Sequence, residues 1–482
     1  MVTTRLETGT KIVGTLGPAS WDEDVLAELI REGLDVARIN ASHSDHAAIR
    51  RQVSRVRRVS FQVGMPVAVL LDLQGPKIRL GKVDGALELS QGDVLTVVMD
   101  PDVIGSGTRV GTTYPEMAED VQVGETVLFA DGALIGEVSA VRRDISPAEV
   151  DVKLAFGGSL TSNKGLNLPD TAMSVPSLTD KDKADLAVGV EVGVDYVALS
   201  FVRDAGDLIE LEQEMDKHGQ RIPAIAKIEK PQAVKNLERI LDHCAGLMVA
   251  RGDLGVEVPI ESVPVHQKRI IDAARRRGAL VITATQMLDS MERNPRPTRA
   301  ETTDVANAIL DGTDAVMLSG ETSVGAFPVQ AVRMMDRIAR EVEASPWFRV
   351  PEPHQLPAFD GLDDAMIRAA AYTLQEHPEL PLVVFTWSGQ AAFRASKIRP
   401  RGPIYGLTPD ARVVDRLKLA WGITPLLVPP VRSTDDLILA GEQVLMEGGF
   451  LEKGQHYLVL AGRSPMRAAM HLLKIQRVGE GG

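Results

Sequence analysis

Between Lys11 and Gly320 one unit recurs eight times, and this recurrence restricts the fold more than anything else in the chain. Each unit is a short run rich in Val and Ile joined to a longer segment of helical period. The runs are Lys11–Gly17, Asp35–Ser42, Val67–Gln74, Asp195–Val202, Pro223–Glu229, Gly246–Gly255, Ala279–Gln286 and Asp314–Gly320. Helical segments are expected after Ser20 or Asp22, after Ser44, and over Lys181–Glu191, Gly206–His218, Gln232–Cys244, Pro264–Arg277, Thr302–Leu310 and Pro328–Val342. Eight such units are the count of a (β/α)8 TIM barrel. A doubly wound open sheet is the alternative, and eight near-continuous apolar runs favour the barrel.

The rhythm breaks once. From Arg79 to Leu168, Val/Thr/Leu-rich runs are separated by Gly-Asp, Asp-Gly and Gly-Gly turns with almost no helical signal, which reads as an inserted all-β domain. After Ser345, the prolines Pro346, Pro351, Pro353 and Pro357 mark a linker. Beyond it come a helix at Asp363–Glu376 and runs at Leu382–Thr386, Pro403–Leu407, Thr424–Val428, His456–Ala461 and Leu473–Val478, the pattern of a separate α/β domain. The expected division is a barrel over 1–78 and 170–345, an inserted lid over 79–169, and a C-terminal α/β domain over 346–482.

A net charge of −13 over 482 residues argues against a nucleic-acid groove and requires any anion site to gather its cations locally. The single cysteine, Cys244, excludes a disulfide within the chain and fits a reducing cytoplasm. Set among Leu237, Ile240 and Leu241, it reads as a buried structural thiol. The segment Met1–Thr10 is polar and no apolar run reaches membrane-spanning length, so a cytoplasmic protein is expected.

Barrel chemistry sits at the C-terminal ends of the strands. There the chain places Arg38, Asn40 and Ser42; Asp72; Lys227 and Glu229; Arg251 and Asp253; Thr285; and Ser319 and Glu321. Buried salt bridges would explain some of these, though not so many on one rim. Glu229 and Asp253 are oxygen donors of the kind Mg²⁺ takes, and Arg38, Arg79 and Lys227 suit phosphoryl oxygens. Phosphoryl transfer needs mainly positioning and charge stabilisation, which this set supplies. The P-loop, protein-kinase and H-E-x-x-H signatures are all missing.

Seven ordered segments carry a family resemblance: Thr10–Ser20, Asp35–His43 (DVARINASH), Leu71–Arg79 (LDLQGPKIR), Ile225–Pro231 with its K-I-E, Met248–Gly255 (A-R-G-D-L-G), Thr283–Met291 (TATQMLDSM) and Pro297–Thr322 ending M-L-S-G-E-T. Together they resemble pyruvate kinases over the whole barrel, and the C-terminal domain resembles them more weakly. The resemblance implies transfer of a phosphoryl group from phosphoenolpyruvate to ADP. In that reading Lys227 stabilises the phosphoryl group, Glu229 and Asp253 bind Mg²⁺ or Mn²⁺, and Thr285 with the amides near Gly252 and Asp253 holds the substrate carboxylate. Arg38, Asn40, His43, Arg79 and Lys164 face the nucleotide, and Thr285 or Ser319 delivers a proton to the enolate. A closing lid and a homotetramer are also implied.

Two departures alter the expectation. Many pyruvate kinases hold a monovalent cation near the counterparts of Asn40, Ser42 and Asp72. Their third-strand motif has Thr, Lys and Glu where this chain has Leu73, Gln74 and Lys77. Lys77 then replaces K⁺, which is not required; the plainer alternative is a solvated lysine. The effector loop Thr386–Ala391 lacks the family's arginine and last hydroxyl, and the late loop at Arg467–His471 is altered too. Arg394 and Arg399 could still meet a phosphate, or simply lie on an exposed helix face, so a sugar-phosphate or nucleotide effector stays open. A metal-dependent lyase on the same barrel, or a silent paralogue that only binds metabolites, are the competing functions.

Overall fold

The computed structural model describes residues 8–358, 362–431, 433–461 and 472–480. The eight strands are β1 (Lys11–Thr15), β2 (Val36–Asn40), β3 (Ala68–Asp72), β4 (Tyr196–Leu199), β5 (Ala224–Ile228), β6 (Gly246–Ala250), β7 (Leu280–Ala284) and β8 (Ala315–Leu318). Each pairs in parallel with its neighbours in sequence, and β8 returns to β1 with Gly14 opposite Leu318, closing the barrel. Its interior is packed, with Val13, Leu70, Ile225, Met248, Ile282 and Met317 all at or near zero exposure.

The caps explain where helices start. Asp22 rather than Ser20 caps the first helix, Glu23–Glu32, accepting from Asp24 N at 2.9 Å and Val25 N at 3.2 Å. Ser20 Oγ is occupied accepting from Gly17 N. The helix expected at Thr302 starts at Arg299, because Thr298 and Glu301 form a capping box. Two expectations need correcting. Run six does not continue to Gly255: the strand ends at Ala250 and Arg251–Glu257 is helical. The helix expected over Gln232–Cys244 is two helices, Pro231–Lys235 and Leu237–Leu241. They meet at Asn236, whose side-chain amide donates to Arg203 O at 3.0 Å, a bond to another loop that a helix pattern does not encode. Cys244 follows the second helix, and burial pushes its thiol up to about 12, so it stays protonated.

The insertion is an all-β body with one short helix, Met117–Asp120. A six-stranded sheet and a two-stranded ribbon (Leu87–Leu89 with Gly158–Leu160) enclose a core of their own that includes Leu95, Tyr114, Phe129 and Val152. Arg79 bridges to Gly165, tying the entering chain to the leaving one beside the barrel rim.

The C-terminal sheet has the order Ile423–Leu427, Ile404–Thr408, Leu382–Phe385, His456–Ala461, Leu472–Arg477, with only the last strand antiparallel. It docks on the end of the barrel away from the rim, against residues that begin strands. Lys418 pairs with Asp35 at 2.8 Å, Lys397 and Arg399 pair with Asp314 at 2.8 and 3.0 Å, and Lys11 Nζ donates to Ile423 O. Arg399 is therefore buried in this junction, and Arg394 pairs with Asp363, so neither lies on a free helix face. The Arg467–His471 loop lies outside the described residues.

Candidate active site

Lys227 leaves the end of β5 and places its ammonium 2.9 Å from Glu229 Oε1, 3.4 Å from Asp72 Oδ1 and 2.7 Å from Ser200 Oγ. Burial acts to discharge this lysine, but the Asp72 and Glu229 carboxylates outweigh it and hold its pKa well above the ordinary value. Asp72 is the converse case. Burial would raise it, yet Lys227 and Arg38 keep it below the usual carboxylate range. Arg38 donates to Asp72 Oδ2 at 2.7 Å and to Thr15 Oγ1 at 2.8 Å, which fixes its guanidinium at the rim. Asp72 Oδ1 has Lys227 Nζ as its near cation at 3.4 Å, a long contact that acts chiefly through charge.

These residues surround a cavity of about 170 Å³ that Asn40, Ser42, Leu73, Lys77 and Asp253 also line. A larger cavity of about 370 Å³ lies between the barrel and the insertion. Arg79, Asp131, Asn163 and Lys164 line it from one side and Phe201, Lys230 and Asp253 from the other. Lys77, Phe201 and Asp253 border both cavities, which are two compartments of one cleft. Lys77 is held below the ordinary lysine value by burial, Arg79 and Lys227, and His43 is lowered by burial and the same neighbourhood of Lys77, Arg38 and Arg79. The positive charge that an acidic chain must concentrate is gathered here.

Two carboxylates test the site for a divalent cation. Burial and the neighbouring Glu229 push Asp253 up to about 6, with Lys227 opposing. Two like charges crowded in a desolvated place, offering only oxygen, are what Mg²⁺ or Mn²⁺ would relieve. Among the described residues no cluster of three or more His, Cys, Asp or Glu side chains forms a fuller cage. Glu229 and Asp253 therefore fit a cation that takes its other ligands from water and substrate.

The turn after β7 is strained. Thr285 and Gln286 have φ of 67° and 53°, and Phe201 after β4 has 56°. Such backbone costs about 1–3 kcal/mol per residue and persists only where the surroundings impose it. Arg251 does so here: its guanidinium donates to Ala284 O at 3.2 Å and Thr285 O at 2.6 Å and pairs with Asp304 at 2.7 Å. Arg251 stands at the strand end expected for it, but its guanidinium is turned into the frame rather than toward the cleft. Glu321 likewise accepts from Ser319 N and Leu288 N at 2.6 and 3.0 Å and is part of the scaffold. Thr285 Oγ1 accepts from Gly252 N at 2.8 Å, so these two meet as expected. Gly252, Thr285, Ser319 and His43 do not themselves line either cavity.

Sequence reasoning missed Ser200, the hydrogen-bond partner of Lys227, although its place at the end of β4 marked it by the same strand-end rule. It also missed Lys230, buried against Glu257 at 2.6 Å, with Asn167 of the insertion donating to the same carboxylate. No local signal pointed to that triad, which joins insertion and barrel.

Comparison with known proteins agrees with this arrangement. The family described as pyruvate kinase, barrel domain, matches residues 7–332, and pyruvate kinase, alpha/beta domain, matches residues 364–475. Pyruvate kinase 2 of Synechocystis is 43% identical, the match covering 99% of this chain and 80% of the relative. The pyruvate kinase of Corynebacterium glutamicum is 44% identical, with 95% and 94% covered. The crystal structure of a pyruvate kinase from Cryptosporidium parvum superposes with a TM-score of 0.91 at 32% identity, covering 98% and 96% of the two chains.

Proposed function

The chain belongs to the pyruvate kinase family and is a phosphotransferase; from that premise we propose how its rim carries a phosphoryl group from phosphoenolpyruvate to ADP, giving pyruvate and ATP. This sets the lyase alternative aside. The observation that carries the reading is the Lys227 ammonium, buried yet kept charged by Asp72 and Glu229 at the floor of the cleft.

In this reading the bond from phosphorus to the enol oxygen breaks as a bond to the terminal oxygen of ADP forms. Lys227 neutralises the oxygens of the group in transit. A divalent cation, Mg²⁺ or Mn²⁺, held by Glu229 and Asp253 would supply further charge neutralisation to the phosphate oxygens. Thr285 Oγ1 sits on the Gly252 amide where a substrate carboxylate oxygen would sit. Arg38, Asn40, His43, Arg79 and Lys164 hold the nucleotide, the last two from the wall of the larger cavity. Thr285 or Ser319, acting through water, returns a proton to the enolate carbon. The insertion, residues 79–169, acts as a lid that excludes water. The reading extends to a cytoplasmic homotetramer answering to a sugar phosphate or nucleotide.

Lys77 takes the place of K⁺ in this scheme. Its support is that Lys77 borders the cavity lined by Asn40, Ser42 and Asp72, where Leu73 offers no side-chain oxygen, while Asn40 Oδ1 is already accepting from Ser42 N at 3.0 Å. The test is pyruvate formation from phosphoenolpyruvate, ADP and Mg²⁺ with only a bulky organic cation present, and then with K⁺ added. Equal rates in both buffers are expected. Activity only after K⁺ would remove the role of Lys77 and keep the kinase, and no activity in either would remove both.

A further inference from the structure

Where the C-terminal domain meets the barrel, four cationic side chains border a cleft of about 40 Å³: Arg275 and Arg276 from the barrel helix Val263–Arg276, and Lys397 and Arg399 from the C-terminal domain. The linker at Pro351–Pro357 forms its outer wall. Two carboxylates pair directly with these side chains. Asp314, fully buried, is shared by Lys397 and Arg399 at 2.8 and 3.0 Å, and Asp272 is engaged by Arg276. A third carboxylate, Glu343, also acts on Arg399, so the four cations exceed the carboxylates around them by one. Among the described residues the Arg275 guanidinium has no ion-pair or hydrogen-bond partner of its own. It lies across Gly312, with Nε 3.2 Å from the point where a Cβ on that glycine would stand. Arg399 donates to the carbonyl of the same glycine at 2.7 Å. Two guanidinium groups thus converge on one residue. Arg399 is held there in left-handed backbone (φ 49°), a strained conformation for a non-glycine residue.

Like charges brought together in a desolvated cleft are costly unless something neutralises them. Burial and the charge of Arg275 also depress Lys397 and Arg399 below their ordinary values, with Asp314 opposing. A single water needs about 10–15 Å³ of cavity, so the 40 Å³ of this cleft admits the few oxygens of one small oxyanion. Next to it lies a cavity of about 210 Å³ with an apolar wall formed by Ala371, Leu374, Pro378, Ile398 and Pro400. Pro351 borders both, and Ile398 and Pro400 alternate along the chain with Lys397 and Arg399.

We propose that this junction is a binding site for a phosphomonoester, its phosphate held by Arg275, Lys397 and Arg399 and its organic part lodged in the adjoining apolar cavity. The site lies at the strand-start end of the barrel, remote from the rim, and is separate from the altered Thr386–Ala391 loop. Because it joins barrel helix, linker and C-terminal domain, its occupant would tighten the hold of one domain on the other.

The test is calorimetric titration of the full chain with inorganic phosphate and with phenyl phosphate, in the unmodified protein and in Arg275→Gln, Arg275→Lys and Lys227→Met. Expected is a saturable site, separate from any anion held at the rim, that is weakened about tenfold or more in Arg275→Gln. Arg275→Lys should restore part of it, and Lys227→Met should leave it intact. Pyruvate formation by Arg275→Gln, with no phosphate ester present other than the two substrates, should match the unmodified protein, which also establishes that this variant is folded. Binding lost in Lys227→Met but kept in Arg275→Gln would place the anion at the rim and overturn the proposal. So would the absence of a saturable isotherm in folded unmodified protein, or phenyl phosphate binding no tighter than inorganic phosphate. None of these outcomes depends on whether Lys77 replaces K⁺.

Discussion

Replacing Lys227 with Met removes the one cation 2.9 Å from Glu229, a carboxylate only 1% exposed, and leaves its neighbour Asp253 crowded against it. Asp72 keeps Arg38 at 2.7 Å, so Glu229 bears most of the loss. Stranding a buried charge in this way costs about 3–5 kcal/mol. The penalty has a ceiling, because the stranded carboxyl can take up a proton instead, and protonating an ordinary carboxyl near pH 7 costs about 4 kcal/mol. The ceiling falls by about 1.4 kcal/mol for each unit the pH drops, so the deficit should shrink to roughly 1 kcal/mol near pH 5. The sign follows from linkage. In the variant the carboxyl's folded pKa is raised, so its stability contribution is intact at low pH and lost as pH rises. Urea midpoints of both proteins across that range measure the effect. Turnover should fall by about two to three orders of magnitude, as for removal of one preorganised charge donor. A stability deficit that does not change with pH would refute the account of the stranded carboxylate. A turnover near that of the unmodified enzyme would refute the role of Lys227.

Lys77→Glu should lower the rate in K⁺-free buffer about tenfold or more and make it respond to added K⁺, since the substitution restores a carboxylate that needs a counter-ion; a rate indifferent to both changes would show Lys77 to be a solvated side chain. Arg251→Met should release the Thr285–Gln286 turn, cutting turnover by about ten- to a hundredfold at little change in ADP affinity, with partial recovery in Arg251→Lys; steady-state kinetics with each substrate varied would check it. At the junction with the C-terminal domain, burial and Asp195 push Asp415 up to about 6, although Arg57 lies 3.0 Å away, because that one guanidinium also serves Asp195 at 2.7 Å. A raised carboxyl pKa withdraws stability as pH climbs from about 4 to 6, so Asp415→Asn should gain about 1–3 kcal/mol near pH 7 and nothing near pH 4. Thermal midpoints at the two pH values decide this, and a loss at neutral pH would count against the shared-guanidinium argument.

What could be read in the chain alone was whatever rests on local periodicity. The eight apolar runs, the turn-rich interruption and the proline-marked linker each follow from how a segment of some ten residues must orient its apolar side chains. The rule that barrel chemistry lies at strand ends then placed Arg38, Asp72, Lys227 and Glu229 on one rim without coordinates. The same rule was too generous. Arg251 and Glu321 stand at strand ends just as Lys227 does, yet both turn into the frame, Arg251 bracing the Thr285 turn and Glu321 holding the amides of Leu288 and Ser319. Which way a rim side chain points depends on partners far along the chain: Asp304 for Arg251, and Asp72 and Ser200 for Lys227. The break at Asn236 and the Lys230–Glu257–Asn167 link are of the same kind. So is the burial of Arg399 between two domains, which its helical surroundings in sequence gave no reason to expect. Periodicity is a property of neighbours along the chain, whereas charge pairing and burial belong to groups that meet only once the barrel has closed and the other domains have packed against it.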